Sequence, residues 1–96
     1  MIKVIKENNK IMISGHANHN EYGKDIVCAS VSSIIYTSLN AIKCLKDSTI
    51  EVIDNDIMEI TYVEDDEITS KLISNMMDLL KDLENDYPKN ISVKES

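Results

Sequence analysis

Cys28 and His16 are the two side chains of this chain whose chemistry is most readily combined. Cys28 opens an apolar helical pattern, and His16 follows an apolar, strand-like run. A helix N-terminus lowers the pKa of a thiol from about 8.5 to roughly 3.5–7.5, because its unpaired N–H groups and its dipole favour the anion. A histidine within reach can take the thiol proton and return it to a leaving amine, while N–H groups near the cysteine stabilise an oxyanion. The spacing is compatible with a cysteine–histidine hydrolase; an inert buried cysteine and a solvated loop histidine are the structural alternative.

Both glycines of the chain, Gly15 and Gly23, flank the segment between these two residues. Glycine lets a backbone turn freely, so they are predicted to let the loop turn and close in a way that allows a substrate to displace it. Asp25 has two possible roles: it orients His16 as the third member of a triad, or it caps the first helix.

Four further residues are candidates for contact with a peptide: His19, Tyr22, Ser30 and Ser32. For the first two, simple exposure in a loop is the alternative. Cys44 lies in the same predicted helix as Cys28, sixteen residues and about 24 Å away, so no disulfide is expected and Cys44 is predicted to be structural.

A metal site is an alternative, since His16, His19 and Cys28 offer three ligands. No paired cysteine motif accompanies them and a fourth ligand is not evident, so neither a metal nor another cofactor is predicted.

The net charge of the chain limits the classes of partner that it is expected to bind. Ten lysines and no arginine stand against seventeen acidic residues, giving a net charge of −7. Nucleic-acid affinity depends on clusters of Lys and Arg, so direct binding of nucleic acid is not expected. An acidic surface suits a basic peptide or protein, although solubility alone also explains it.

Length and hydropathy predict one domain over residues 1–96, with 43% apolar residues and an aliphatic core. No apolar run was found to approach the roughly 20 residues of a membrane span, and the N-terminal residues alternate instead of forming an apolar block. The sequence therefore predicts a cytoplasmic protein without a membrane segment or a signal peptide.

Apolar periodicity predicts the element order ββαββα with a doubtful further strand, an α+β fold in which two hairpins form an antiparallel sheet covered by two helices. The predicted strands cover residues 2–5, 10–14, 49–54, 57–63 and 91–93, and the helices cover residues 25 to about 45 and about 67–86. The apolar helix positions expected to face the core are Val27, Val31, Ile34, Ile35, Ile42 and Leu45, followed by Ile68, Leu72, Met76, Leu79, Leu80 and Leu83.

One segment of about nineteen residues resembles the signature of the ribosomal-processing cysteine protease family, Prp. The matching residues are Gly15-His16-Ala17, then Gly23, then Asp25-Ile26-Val27-Cys28-Ala29 and Val31-Ser32. Ser30 and Ser33 depart from it, standing where the family commonly has alanine, and residues 18–22 are particular to this chain.

The resemblance implies a cysteine endopeptidase that removes a short N-terminal extension from a large-subunit ribosomal protein. Cys28 would be the nucleophile and His16 its base, in a homodimer with a mobile loop at residues 17–24. The family's substrate places apolar, aromatic residues before the scissile bond and belongs to a basic protein. The alternative function is a non-catalytic, acidic, dimeric peptide-binding module that acts in ribosome assembly.

Overall fold

The structure, a computed structural model, describes residues 1–15 and 24–95, and residues 24 and 25 by their backbone only. Its elements are β1 (Ile2–Glu7), β2 (Lys10–Ser14), α1 (Lys24–Lys46), β3 (Ile50–Asp54), β4 (Met58–Tyr62), α2 (Glu67–Asp86) and β5 (Ile91–Glu95), with a short 3₁₀ turn at Asp47–Thr49. The predicted α+β class, both hairpins and both helices are confirmed.

The strands form one five-stranded sheet in the order β3-β4-β2-β1-β5. Both hairpins pair antiparallel, and β2 joins β4 antiparallel at the centre. The doubtful last strand is present, and it pairs parallel with β1, which makes the sheet mixed. Strand β5 extends two residues beyond the predicted end at residue 93, because Lys94 and Glu95 are also paired with β1.

Two asparagines shape the β1–β2 turn. Asn8 has a φ of 49°, a left-handed conformation that asparagine tolerates better than most residues. Asn9 then ties the hairpin to β4, since its carbonyl accepts a 2.8 Å hydrogen bond from the N–H of Tyr62.

Alternate strand residues and one stripe of each helix enclose an aliphatic core. Its buried strand members are Ile2, Val4, Ile11, Ile13, Ile50, Met58, Ile60 and Ile91, and its helix members are Val27, Val31, Ile35, Leu39, Ile42, Ile73, Met76, Met77 and Leu80. Ile34, Leu72 and Leu83 pack at its edge.

The prediction that Leu45 packs in the core is wrong: its side chain is 61% exposed. The 23 residues of α1 span about 34 Å, whereas a five-residue strand spans about 17 Å. The last turn of α1 therefore extends beyond the sheet, and its side chains from Lys43 to Lys46 are exposed.

Two core assignments in α2 are also wrong: Ile68 is 55% exposed and Leu79 is 42% exposed. The buried stripe instead includes Ile73 and Met77. Because α2 carries apolar residues on more than one face, periodicity alone did not determine which stripe meets the sheet.

The apolar stretch Ile26–Thr49 is long enough, by length and composition only, to cross a membrane. By this measure the prediction that no run reaches that length is wrong. The core helix of a folded domain passes the same test, and α1 buries Val27, Val31, Ile35 and Ile42 in the core. Core packing therefore accounts for this stretch.

Candidate active site

Cys28 lies near the start of α1, which begins one residue before the predicted start at residue 25. Because α1 begins at Lys24, Cys28 is its fifth residue and opens the second turn. Its N–H belongs to the regular i→i−4 pattern with Lys24, so the groups able to hold an oxyanion are those of the preceding turn. Helical side chains lean toward the N-terminus, which brings the region of the Cys28 thiol over that first turn.

Asp25 falls inside the first turn of α1, whereas a capping residue precedes the helix. An acidic residue in the first turn still favours the helix through its dipole. Orientation of His16 by Asp25 stays a prediction, because His16 lies outside the described residues.

The Cys28 side chain is half-buried at the edge of the core. Val27 and Val31, its neighbours on the inner face of α1, are completely or almost completely buried. Cys28 is therefore held by packing on one side while part of it stays accessible.

A shallow depression lies between α1 and the sheet, next to the ridge that carries Cys28. It is lined by Ile13, Val31, Ser32, Ile35, Tyr36 and Met58. Ser32 and Tyr36 follow Cys28 at four-residue spacing, so all three lie along one ridge of the helix. We call this feature, with its lining residues, the α1 groove.

Tyr36 and Asp54 form a polar contact beside the α1 groove. The Tyr36 hydroxyl donates a 2.6 Å hydrogen bond to Oδ2 of Asp54, the last residue of β3. This hydrogen bond, together with desolvation and the carboxylate charge, raises the pKa of Tyr36 above its ordinary value. The contact joins the second half of α1 to the β3–β4 turn.

Gly15 occupies a position that requires glycine. Its φ is +86°, and an added Cβ would collide with the carbonyl oxygen of Met1 and lie 3.1 Å from the Met1 carbonyl carbon. The turn that leads from β2 toward His16 is therefore fixed by this residue.

The structure describes only some of the predicted site residues. His16, His19, Tyr22 and Gly23 lie outside the described residues, together with most of the predicted mobile loop, so their roles stay predictions. Ser32 lines the α1 groove, whereas Ser30 is half-buried and does not line it.

Cys44 does not have the structural role expected of it, because its side chain is exposed at the far end of α1. Neither cysteine is in a disulfide. In the part of the chain that the structure describes, no group of three His, Cys, Asp or Glu residues is arranged to hold a metal ion. The metal alternative depended on His16 and His19, and it stays untested.

Sequence reasoning missed Tyr36 and Asp54. The eight-residue spacing from Cys28 to Tyr36 was a usable signal, because it places both on one helix ridge. Asp54 gave no comparable signal, because its proximity to Tyr36 depends on packing between separate elements.

Comparison with known proteins gives consistent matches over nearly the whole chain. A family model described as "Cysteine protease Prp" matches residues 1–92. The ribosomal processing cysteine protease Prp of Staphylococcus aureus is 34% identical over 84% of this chain and 80% of its own length. The protein of the same name from Mycoplasma pneumoniae is 33% identical over 99% of this chain and 95% of its own length.

Solved structures agree with these matches. The crystal structure of Prp from S. aureus in complex with a substrate peptide has a TM-score of 0.92 and 28% identity, covering 100% of both chains. The S. aureus protein in complex with a covalently linked product peptide has a TM-score of 0.88 and 29% identity over 100% of both chains.

Proposed function

Because this chain belongs to the cysteine protease Prp family, which acts in ribosomal processing, we propose that it is an endopeptidase with Cys28 as nucleophile and His16 as general base and acid. Its substrate is the short N-terminal extension of a large-subunit ribosomal protein, removed during ribosome maturation.

The covalently linked product peptide of the S. aureus relative is the observation that carries this proposal. A covalent link to a peptide product is what nucleophilic catalysis leaves on an enzyme. Both cysteines of this chain lie in α1, but only Cys28 is near the positive end of the helix and beside the α1 groove. Cys28 is therefore the better nucleophile, since the helix start favours an anionic sulfur.

In the proposed reaction, His16 takes the thiol proton and the Cys28 sulfur attacks the scissile carbonyl. N–H groups of the first turn of α1 stabilise the tetrahedral oxyanion, and its collapse expels the new amine with the proton held by His16. Water, activated by the same histidine, then hydrolyses the thioester and releases the acid product. The cycle uses no metal or other cofactor.

Charge supports a basic substrate. The chain carries a net charge of −7, so a basic ribosomal protein is attracted electrostatically while its extension reaches the site. We place the reaction in the cytoplasm, where ribosomes mature, and expect the enzyme to act as a homodimer, without direct contact to nucleic acid or membrane.

The test is cleavage of a synthetic peptide that spans the extension and the first residues of the mature ribosomal protein from the same organism. Cys28→Ala should abolish cleavage while the peptide still binds, and His16→Ala should reduce cleavage by at least about 10²-fold, the lower bound for general acid–base catalysis. Cys44→Ala is the matched control and should cleave at the wild-type rate.

Wild-type protein that binds this peptide without cutting it would support the non-catalytic binding module instead. Sedimentation equilibrium of the wild-type protein tests the dimer separately, and a monomer at micromolar concentration would refute it.

A further inference from the structure

We propose that Tyr36 and Asp54 form a specificity-determining end of the α1 groove, which selects a basic side chain in the substrate three or four residues from the scissile bond. The inference rests on the proposed function, because it takes Cys28 as the point where the peptide is cut. Neither residue belongs to the segment that carries the family signature.

The distance along α1 from Cys28 to Tyr36 determines which residue of a bound peptide reaches Asp54. Tyr36 follows Cys28 by eight residues, which corresponds to a rise of about 12 Å along the helix. An extended peptide advances about 3.3 Å per residue. A peptide that runs along the groove from Cys28 therefore reaches Tyr36 and Asp54 after three or four residues.

The groove between these two points suits an apolar side chain. Ile13, Met58 and Val31 form an apolar floor and are almost completely buried, whereas Ser32 and Tyr36 are exposed. Such a shallow surface with an apolar floor does not enclose a compact ligand, so an extended peptide lying along it is the occupant that fits.

The far end of the groove differs, because it presents a carboxylate. Oδ2 of Asp54 accepts the hydrogen bond from Tyr36, which leaves Oδ1 and the negative charge for a further partner. Among the described residues, no lysine forms an ion pair with Asp54. Asp56, in the same β3–β4 turn, adds a second negative charge nearby. A lysine or arginine of the substrate is the complementary group.

Tyr36 acts as a positioning residue in this pair. At 2.6 Å, its hydroxyl fixes one carboxylate oxygen of Asp54 relative to α1, the helix that also carries Cys28. The charge that meets the substrate is thereby held at a fixed distance from the point of cleavage.

The experiment measures binding of fluorescent synthetic peptides to the Cys28→Ala variant, so that it does not depend on turnover. Each peptide has an extended, aromatic–apolar centre, and a single Lys, Ala or Glu is moved through the positions on either side. We expect the Lys peptide to bind about five- to tenfold more tightly than the Glu peptide, as for one exposed charge pair, at a position three or four residues from the centre.

Asp54→Asn in the same background should reduce that preference to less than about twofold, while binding of the Ala peptide stays unchanged. Tyr36→Phe should reduce the preference partially. Glu51→Gln is the matched control: it removes the same charge from the same strand on the opposite face of the sheet, and it should leave the preference intact.

A preference that survives Asp54→Asn, or that peaks next to the scissile position, would overturn the inference. The inference would also be overturned if the Cys28→Ala variant, with Tyr36 and Asp54 intact, showed no preference for Lys over Glu at any position. Cleavage of the Ala peptide by wild-type protein reports separately on the proposed function, since that peptide carries no charge for Asp54 to select.

Discussion

The hydroxyl of Thr69 is hydrogen-bonded at 2.8 Å to the hydroxyl of Thr49, and both residues are buried. Thr69 lies in the first turn of α2 and Thr49 ends the 3₁₀ turn that follows α1. The hydroxyl oxygen of Thr69 also lies 2.9 Å from Oδ2 of Asp66, the N-cap of α2. The hydroxyl of Thr49 donates a hydrogen bond to the carbonyl oxygen of Lys46. This network holds the end of α1 against the start of α2.

Thr69→Val should therefore destabilise the protein although it preserves the shape of the side chain. The substitution leaves the buried Thr49 hydroxyl with one partner fewer, and a lost buried hydrogen bond costs about 1–3 kcal/mol. Urea denaturation followed by circular dichroism measures the change. Thr69→Ser keeps the hydroxyl and should lower the free energy of unfolding by a smaller amount. An equal loss of stability in the two variants would contradict the role of the network.

The carboxylates near this network predict acid sensitivity. Hydrogen bonds from the backbone and side chain of Thr69 lower the pKa of Asp66, and Lys46 together with Ser48 lowers the pKa of Glu64. A depressed folded pKa adds stability above the unfolded value of about 4, and this is lost as the pH falls through the folded pKa. We expect the midpoint of thermal unfolding to fall steeply below about pH 4.

Asp66→Asn provides the comparison. The variant should have a thermal midpoint several degrees below that of wild type at pH 7. This difference in midpoint should shrink as the pH falls below about 4, because protonation of Asp66 then removes its stabilising charge from the wild-type protein. Calorimetric scans at pH 7 and pH 3 measure both. A difference that stays constant across this range would show that the Asp66 charge is not involved.

Sequence patterns identified the elements because each is locally determined. The β1–β2 hairpin follows from strand alternation and from asparagines that accept a left-handed φ, as Asn8 does. The end of α2 follows from Pro88. Which stripe of α2 is buried, and the parallel pairing of β5 with β1, depend on contacts between residues far apart in the chain. Periodicity does not carry that information, and so Leu79 was misassigned.

The site was predictable to the extent that it depends on a contiguous motif. Cys28 and the glycine at position 15 lie in one such motif, and the structure places both where a helix start and a forced turn need them. The α1 groove was not predictable, because Ile13, Tyr36 and Met58 come from three separate elements.

Gly15→Ala should disturb both stability and activity. A left-handed φ costs an L-residue roughly 1–2 kcal/mol, and the added Cβ also meets the Met1 carbonyl. Denaturation measures the first effect, and the cleavage assay should show a larger loss than stability explains, because His16 is the next residue. Ser14→Ala, one residue earlier, is the control; equal behaviour of the two variants would refute the requirement for glycine.

Ser32 and Ser30 form a second matched pair. Ser32 lines the α1 groove one turn beyond Cys28, whereas Ser30 faces another direction on the helix. Ser32→Ala should raise the KM of peptide cleavage about threefold to tenfold with little change in kcat, as expected for loss of one hydrogen bond to bound substrate. Ser30→Ala should leave both constants unchanged, and the reverse result would place the peptide on a different face of α1.

The two cysteines of α1 offer an internal comparison of reactivity within one helix. Cys28 is half-buried near the positive end of the helix dipole, and Cys44 is exposed near the negative end. Exposure alone predicts that iodoacetamide modifies Cys44 first. The proposed catalytic role predicts the opposite order, because the thiolate is the reacting form and a helix start favours it.

We expect Cys28 to be modified at least about tenfold faster than Cys44 at pH 7, as measured by mass spectrometry of digested samples taken over time. In urea, where the helix is absent, the two rates should converge. His16→Ala should slow the modification of Cys28 without changing the rate at Cys44. This variant therefore separates activation of the thiol by the histidine from activation by the helix. Faster modification of Cys44 in the folded protein would count against Cys28 as the nucleophile.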